Sequence, residues 1–394
     1  MDIVQPTKYF KLLWLWIALN SIVLIEPSPC DILFVICLAA ACIFSYMSFS
    51  DNIFLPLLLV VLFIEANLIS LLFAAEDPLG ASRFYLITFY LGVSWIFLIG
   101  LLQRYGGVIL EYLFSGYMVA ALIAAAVGIT AYFHVIPYAE TFLYFGRAMG
   151  PFKDANVYGP FLIPAVLYGL YRFERSHRWQ QFLWLFAVVF LSIGVLLSFS
   201  RAAWGNYFIC VFLYFLLPPW PSLKVRIKKG LILFLLLLPV LIFVLTHSDV
   251  SSLFTQRLGF QSYDHDRFGT QIASLHLAAE HPLGIGAGQT ERVLDYSTHS
   301  LYIRVFTESG ILGCFSFLSF ILLTVLQSLR DNFRENRASP YAAIVTASLA
   351  GVLFNSFFID TLHWRHFWFL LALPWVPWGG GRAVENRPDS HPIR

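Results

Sequence analysis

Long, continuously apolar runs separated by short polar or basic segments make up most of this chain. Crossing the hydrocarbon core of a bilayer, about 30 Å thick, takes roughly 20 apolar residues in a helix that rises about 1.5 Å per residue. The runs do not alternate between apolar and polar positions, so they indicate helices rather than the strands of a membrane barrel. The pattern predicts an all-α polytopic membrane protein with about twelve transmembrane helices. The predicted spans are 11–27, 31–49, 53–75, 84–103, 107–133, 157–172, 181–199, 203–218, 230–247, 307–328, 341–358 and 365–379.

The composition supports this interpretation, because 59% of the residues are hydrophobic and only 12% are charged. Such a composition excludes an ordinary soluble domain. The net charge of +2 gives no basic footprint for nucleic acid. Basic residues cluster in RFERSHR at 172–178, LKVRIKK at 223–229 and RDNFRENR at 330–337. By the positive-inside rule these segments face the cytoplasm, which places both termini inside and a large loop, about 248–300, outside.

The five cysteines lie in or beside apolar runs without CxxC spacing, so neither a disulfide framework nor a zinc site is predicted. The first apolar run is not followed by a small-residue cleavage site of the A-x-A form, which predicts a retained helix rather than a signal peptide. The chain also lacks an internal repeat of the kind that marks inverted-repeat transporters.

Polar side chains are concentrated in one segment, residues 264–313. Apolar residues recur there at helical spacing, which predicts an amphipathic helix from about 266 to 281 with Ser274 on its polar stripe. The sequence HPLGIGAG at 281–288 ends this helix and is typical of a turn that allows close backbone approach. A second helix is predicted to begin near Thr298 and to run into the membrane.

Three arginines, Arg201, Arg267 and Arg292, lie on the predicted outer side. Guanidinium groups present forked donors that match phosphate oxygens, and several of them around one cavity suit a lipid-linked diphosphate. The alternative is that Arg201 reaches lipid headgroups or pairs with Asp264 or Asp266.

His299 stands at the start of the second predicted helix. A neutral imidazole, with a reference pKa of about 6.5, is suited to accept a proton from a hydroxyl group. The alternative is a histidine that only caps the helix or forms a structural hydrogen bond. The other histidines and carboxylates of residues 264–281 lack spacing of the HExxH type, so no metal site is predicted.

Carboxylates inside predicted spans are the observation that favours a transporter. Glu65 and Glu111 lie in apolar runs, where an ionised group suggests proton coupling. The alternative for each is a position near a helix end or a hydrogen bond to a neighbouring helix. Arg304 and Glu308 are four residues apart on one predicted helix and can simply pair with each other.

Four motifs, in this order and position, resemble the bacterial O-antigen ligase/polymerase superfamily over about residues 50–370. They are GRAMGPFKDANVYG at 146–159, SFSRAAW at 198–204, RFGTQIASLHLAAEHPLGIGAG at 267–288 and HSLYIRVFTESGILG at 299–313. One departure is Ser300, where the family often has Asn. The resemblance implies a GT-C-like fold arranged as transmembrane helices over 1–247, a periplasmic catalytic loop over 248–306, and further helices with a cytoplasmic tail over 307–394.

The resemblance also implies a glycosyltransferase of the bacterial inner membrane that needs no metal and no cofactor. Its donor is an undecaprenyl-diphosphate-linked glycan on the periplasmic side. In this picture Arg201 and Arg267 hold the diphosphate, and His299 activates the acceptor hydroxyl with inversion at the anomeric carbon. Further contacts to sugar or lipid are expected from Lys153, Asp154, Asn156, Arg292, Arg304, His363 and Arg365.

Two acceptors fit these parts. Lipid A–core oligosaccharide as acceptor makes the protein an O-antigen ligase, which is the leading hypothesis, and a growing glycan makes it an O-antigen or exopolysaccharide polymerase. A flippase or proton-coupled transporter is the alternative from another class.

Overall fold

The computed structural model describes residues 7–218, 262–333 and 340–377, with the isolated positions 230, 231, 238, 242 and 246. Most of the predicted span 230–247 and the first part of the predicted outer loop therefore lie outside the described residues, as does the tail after residue 377.

The described residues form thirteen α-helices and one short hairpin. The helices are α1 (Thr7–Ala18), α2 (Pro29–Ile43), α3 (Phe54–Ser70), α4 (Pro78–Tyr105), α5 (Leu110–Tyr132), α6 (Ala155–Arg175), α7 (Trp179–Leu197), α8 (Arg201–Leu216), α9 (Ser262–Glu280), α10 (Thr290–Val293), α11 (Leu301–Phe333), α12 (Pro340–Asn355) and α13 (Arg365–Ala372). The hairpin pairs β1 (Leu143–Tyr144) with β2 (Arg147–Ala148) in antiparallel fashion.

Among the described residues, four helical segments are long and apolar enough to cross a bilayer. They are Asp51–Phe73, Pro78–Tyr132, Trp179–Leu197 and Leu301–Phe333. The second has 55 residues, because a 3-10 turn over Gly106–Ile109 joins α4 to α5, and it covers two of the predicted spans. By contrast, α1 has 12 residues and rises about 18 Å, which is less than the bilayer core. The helical class is confirmed, and the count of twelve spans stays a prediction.

Local sequence determines where several helices begin. Ser28, Asp77, Asp154 and Ser200 each accept a hydrogen bond from a backbone N–H in the first turn of the following helix. A side-chain oxygen at this position satisfies a donor that the helix itself cannot pair. Proline in the first turn of α2 and α4 reinforces the start, because it lacks the N–H that would otherwise be unpaired.

The centre of the fold is α6, which is buried on almost every side and packs against α7, α8 and α5. A helix that is apolar all round is stable only inside such a bundle. Small residues let its neighbours approach closely: a Cβ on Gly159 would lie 2.7 Å from the hydroxyl oxygen of Ser198 and 2.8 Å from the Cβ of Ala203. The segment that follows α7 is thereby pressed against the first turns of α6.

The amphipathic helix predicted at 266–281 is confirmed as α9, but it turns the opposite face inward. Ser274 is fully buried against α11, with its hydroxyl 2.7 Å from that of Thr298. Ile272 and Leu275, on the apolar stripe, are 59% and 44% exposed. Ala278 is buried on the same inward face. The second predicted helix begins at Leu301, three residues after Thr298.

Candidate functional site

A break in α11 is the structural centre of the candidate site. At Gly310 the backbone leaves the helical conformation, with φ 69° and ψ −168°. The loop 282–288 packs against this break and pairs with the backbone groups that the interrupted helix no longer uses. The three hydrogen bonds are Ile285 N to the Thr307 carbonyl (3.1 Å), Gly286 N to the Glu308 carbonyl (3.2 Å) and Ile311 N to the Pro282 carbonyl (2.9 Å).

Two glycines make this packing possible. Gly284 and Gly310 have φ values of +83° and +69°, in the left-handed region that residues with a Cβ rarely adopt. A Cβ on either glycine would lie 2.7 Å from the backbone nitrogen of the other. Any side chain at these positions would therefore push the loop away from the helix. HPLGIGAG and ESGILG, which are separate motifs in the sequence, form one unit.

A charged triad lies beside this unit. Arg304 donates through Nε to a carboxylate oxygen of Glu308 (3.0 Å) and through Nη1 to the carboxylate of Asp360. The same Glu308 oxygen accepts a hydrogen bond from the backbone N–H of Gly288 at 2.7 Å. The pairing of Arg304 with Glu308, one of the two roles considered for Arg304, is confirmed. The triad connects α11, the loop 282–288 (the glycine loop) and the segment after α12.

His363 completes this cluster as a neutral side chain. Its Nε2 lies 3.0 Å from the hydroxyl oxygen of Thr88, and its ring stacks on Phe84, which Arg304 also covers at 5.2 Å. Burial lowers the pKa of His363 to about 4, and the charge of Arg304 acts in the same direction. Burial by itself would raise the pKa of Asp360, but Arg304 lowers it below its usual range. At neutral pH His363 is therefore neutral and Asp360 is ionised beside the Arg304 guanidinium.

The loop also reaches the start of α4 through Gln289. Its amide oxygen accepts from the backbone N–H of Asp77 (3.0 Å), and its amide nitrogen donates to the Asp77 carbonyl (3.0 Å). Arg292 lies near the carboxylate of Asp77 at 3.3 Å and its side chain is 63% exposed. Most of this guanidinium therefore faces solvent at the rim of the unit.

His299 precedes the first turn of α11 and is held through its backbone. Its carbonyl accepts a hydrogen bond from the side chain of Gln271 (3.3 Å), and two residues later Leu301 N donates to the Ser356 carbonyl (2.9 Å). The half-buried imidazole contacts the ring of Tyr296 edge-on at 5.6 Å. Two elements on either side, α9 and the segment after α12, thus position His299.

A second group of polar residues lies around Arg147, which is buried. Its Nε donates to the carbonyl of Ser198 (2.8 Å) and its Nη2 to the side-chain oxygen of Asn156 (2.8 Å). Asp154 accepts in turn from the backbone N–H of Asn156 (2.8 Å). Arg147 therefore ties the motif at 146–159 to the motif at 198–204.

Arg201 follows this contact as the first residue of α8, after the cap Ser200. The positive end of a helix dipole and a guanidinium group here favour a negative charge at the same place. Arg267 lies in α9, and its side chain falls outside the described residues.

Two predicted site residues contact acidic groups near the start of the chain. Lys153 pairs with Glu26, and both side chains are largely exposed. Arg365 donates through Nη2 to both carboxylate oxygens of Asp31, at 2.7 and 2.9 Å. The structure therefore brings Arg304 and His363 together and places Asp154 and Asn156 beside the start of α8. Arg365 lies apart from both groups, in the contact with Asp31 on α2.

Glu111 has the structural role considered for it. Its carboxylate accepts from Tyr168 (3.0 Å) and Tyr341 (2.5 Å) and pairs with Arg172, which stacks over Trp184 at 4.9 Å. A carboxylate bonded in this way joins three helices. Glu65, by contrast, is exposed on α3.

Residues 186–318 match a family model whose description is O-antigen ligase. The resemblance to the O-antigen ligase/polymerase superfamily is confirmed. The O-antigen ligase match contains Arg201, Arg267, Arg292, His299 and Arg304. No curated protein matches the chain.

The structure connects the O-antigen ligase match to residues on both sides of it. The motif at 146–159 precedes the match, but Arg147 bonds it to Ser198 inside the match. Asp360 follows the match and is bonded to Arg304 within it.

Arg147 and Asp360 were not among the predicted site residues. The only signal for Arg147 was an arginine between two glycines in GRAMG, and Asp360 had none before its partner was known.

Proposed function

We propose that this protein is an inner-membrane glycosyltransferase that transfers a glycan from an undecaprenyl-diphosphate carrier on the periplasmic side, most simply as an O-antigen ligase. The observation that carries the proposal is the O-antigen ligase match over residues 186–318, which contains the three residues expected to be catalytic, Arg201, Arg267 and His299. The long apolar helices support a membrane-embedded, lipid-linked substrate.

In the proposed reaction the acceptor hydroxyl oxygen attacks the anomeric carbon. The bond between that carbon and the diphosphate oxygen breaks, the configuration inverts, and undecaprenyl diphosphate leaves with the bonding electrons. His299 takes the hydroxyl proton. Arg201 and Arg267 bind the diphosphate and stabilise the charge that develops on it, which is the work a metal ion performs in other transferases.

The surrounding residues have supporting roles in this proposal. Rigid placement of a general base matters because small displacements from the productive geometry reduce the rate strongly. The backbone contacts of His299 with Gln271, and of Leu301 with Ser356, suit that requirement. Arg292, largely exposed at the rim, is available for the diphosphate or the sugar. Lys153, Asp154, Asn156, His363 and Arg365 remain proposed contacts to the glycan or lipid, and Arg304 is proposed to act by holding the glycine loop.

The polymerase alternative uses the same donor and differs in the acceptor. The match supports both members of the superfamily, and the family description names the ligase.

The test is reconstitution of the purified full chain in liposomes with an undecaprenyl-diphosphate oligosaccharide, with and without lipid A–core. One product that appears only with lipid A–core supports the ligase, and a ladder formed without it supports the polymerase. His299→Ala is expected to lower the rate at least about 100-fold, the usual contribution of a general base. His276→Ala is the matched control, because His276 is exposed on the neighbouring α9.

The arginine roles need their own comparison. Arg201→Lys keeps the charge but removes the forked donor, so it should recover only part of the activity lost in Arg201→Ala. Full activity of His299→Ala together with loss in Glu65→Gln would overturn the transferase proposal and favour proton-coupled transport.

A further inference from the structure

A cavity of about 20 Å³ lies where α1, α2, α4 and α13 meet. Its lining includes Trp16, Cys30, Trp95 and Arg365. One water molecule, or one ion of similar size, needs roughly 10–15 Å³ measured in this way, so the cavity holds about one such particle. None of these four residues belongs to the matched segment 186–318 or to the glycine-loop unit.

Three donors on the cavity residues form no hydrogen bond with an oxygen or nitrogen of the described part of the chain. They are the indole N–H groups of Trp16 and Trp95 and the Nη1 group of Arg365, all three buried. Each of these groups can donate a hydrogen bond and none can accept one. Buried tryptophan N–H groups usually find a partner, so two of them on one cavity, together with a guanidinium N–H, are unusual. The Trp16 side chain interacts with the thiol of Cys30, but a sulfur is only a weak acceptor.

The carboxylate near the cavity is already occupied. Asp31 binds the other amino group of Arg365 and also accepts from the hydroxyl of Tyr90 (2.9 Å) and the backbone N–H of Ser28 (3.0 Å). Glu26, the other acidic residue whose charge acts on Arg365, is paired with Lys153. The lining itself contains no aspartate or glutamate. Asn20 and Ser94 also line the cavity and carry oxygens that can accept, but neither accepts from the three donors, so their acceptor has to come from a bound particle.

We propose that the cavity is a binding site for a single monatomic anion of the halide class, held by Trp16, Trp95 and Arg365. A halide accepts several hydrogen bonds and donates none, which matches three unbonded N–H donors, one of them on a guanidinium group. The volume excludes a phosphate group, so the site is distinct from the diphosphate site of the proposed reaction. The bound anion links α1, α4 and α13 through Trp16, Trp95 and Arg365, and the second amino group of Arg365 is fixed by Asp31 on α2.

The first experiment measures thermal unfolding of the purified full chain at constant ionic strength in sodium chloride, sodium bromide and sodium gluconate. A ligand that binds only the folded state raises the unfolding midpoint, by a few degrees when its concentration is well above the dissociation constant. We expect higher midpoints in chloride and bromide than in gluconate. The difference should disappear in Trp95→Phe and persist in Trp375→Phe, because the indole N–H of Trp375 already bonds Thr324 away from the cavity.

Equal midpoints of the wild type in all three salts, or a difference that persists in Trp95→Phe, would overturn the proposal. A second measurement does not depend on the variant. Crystals of the wild-type protein grown in bromide should show an anomalous-scattering peak in the cavity. A peak supports the halide site, and density for a water molecule without anomalous signal refutes it.

Discussion

Replacing Arg304 by methionine tests whether the charged triad is what holds the glycine loop against α11. The side chains of Arg304, Glu308 and Asp360 are 13%, 5% and 19% exposed. Without the guanidinium group, two carboxylates would remain in a site of low polarity with no counter-charge. Removing one partner of a buried ion pair costs about 3–5 kcal/mol, because the remaining charge is left uncompensated.

The assay is thermal unfolding in detergent at pH 7.5. At roughly 2 °C per kcal/mol or less for a chain of this size, Arg304→Met should lower the midpoint by up to roughly 6–10 °C. The triple variant Arg304→Met, Glu308→Gln, Asp360→Asn removes all three charges and keeps an oxygen that can accept from the Gly288 N–H. It should recover more than half of the loss, because neutral groups are far less costly to bury than unpaired charges.

Two results would refute this reasoning. A midpoint for Arg304→Met within 1–2 °C of wild type, about the effect of an ordinary surface change, would mean that the triad contributes little. A triple variant no more stable than Arg304→Met would mean that uncompensated charge is not the cause. Transfer activity of a stable triple variant then separates the two roles of Arg304: activity retained means loop support, and activity lost means substrate binding.

Three further predictions follow from the contacts. Gly284→Ala should lower the unfolding free energy by roughly 1–3 kcal/mol or more, because of backbone strain and steric contact with α11. The control is Gly269→Ala on α9, where a Cβ meets open space; it should be neutral or stabilising in the same unfolding assay. Arg147→Met should lower both the unfolding midpoint and transfer activity, since it leaves Asn156 and the Ser198 carbonyl without their donor; unchanged activity would show that the link between the two motifs is dispensable. The pKa of His363 is about 4 in the folded state, below the value of about 6.5 in the unfolded state. The contribution of His363 to the unfolding free energy is therefore complete above pH 6.5 and is lost as the pH falls toward 4, by up to roughly 3 kcal/mol. His363→Gln should flatten that part of the stability–pH curve, and an unchanged slope would contradict the assignment.

Features that depend on neighbours along the chain were predicted well. The apolar runs predicted helices at 53–75, 181–199 and 307–328, and the structure has membrane-length segments at Asp51–Phe73, Trp179–Leu197 and Leu301–Phe333. The spacing of Arg304 and Glu308 predicted their pairing, because residues four apart share a helix face. The roles proposed for His299, Arg201 and Arg267 remain predictions.

Features that depend on contacts between distant segments were not predictable. The inward face of α9 carries Ser274 because Thr298 supplies a partner hydroxyl, and hydrophobic spacing carries no information about that partner. The GRAMG arginine acquires its role only because α6 and α7 pack so that Ser198 lies within reach.

By itself the sequence determined the helical class, the membrane character, the positions of the motifs and the resemblance to the O-antigen ligase/polymerase superfamily, since each depends on residue type and on spacing over a few turns of helix. Tertiary structure alone decided that two glycine motifs pack as one unit, that Asp360 joins Arg304 and Glu308, and that Arg365 serves Asp31 and a donor-lined cavity. The physical reason is that hydrophobic periodicity specifies which face of a helix is apolar. The pairing of a polar group, by contrast, depends on distances of about 3 Å between residues that are tens to hundreds of positions apart in the chain.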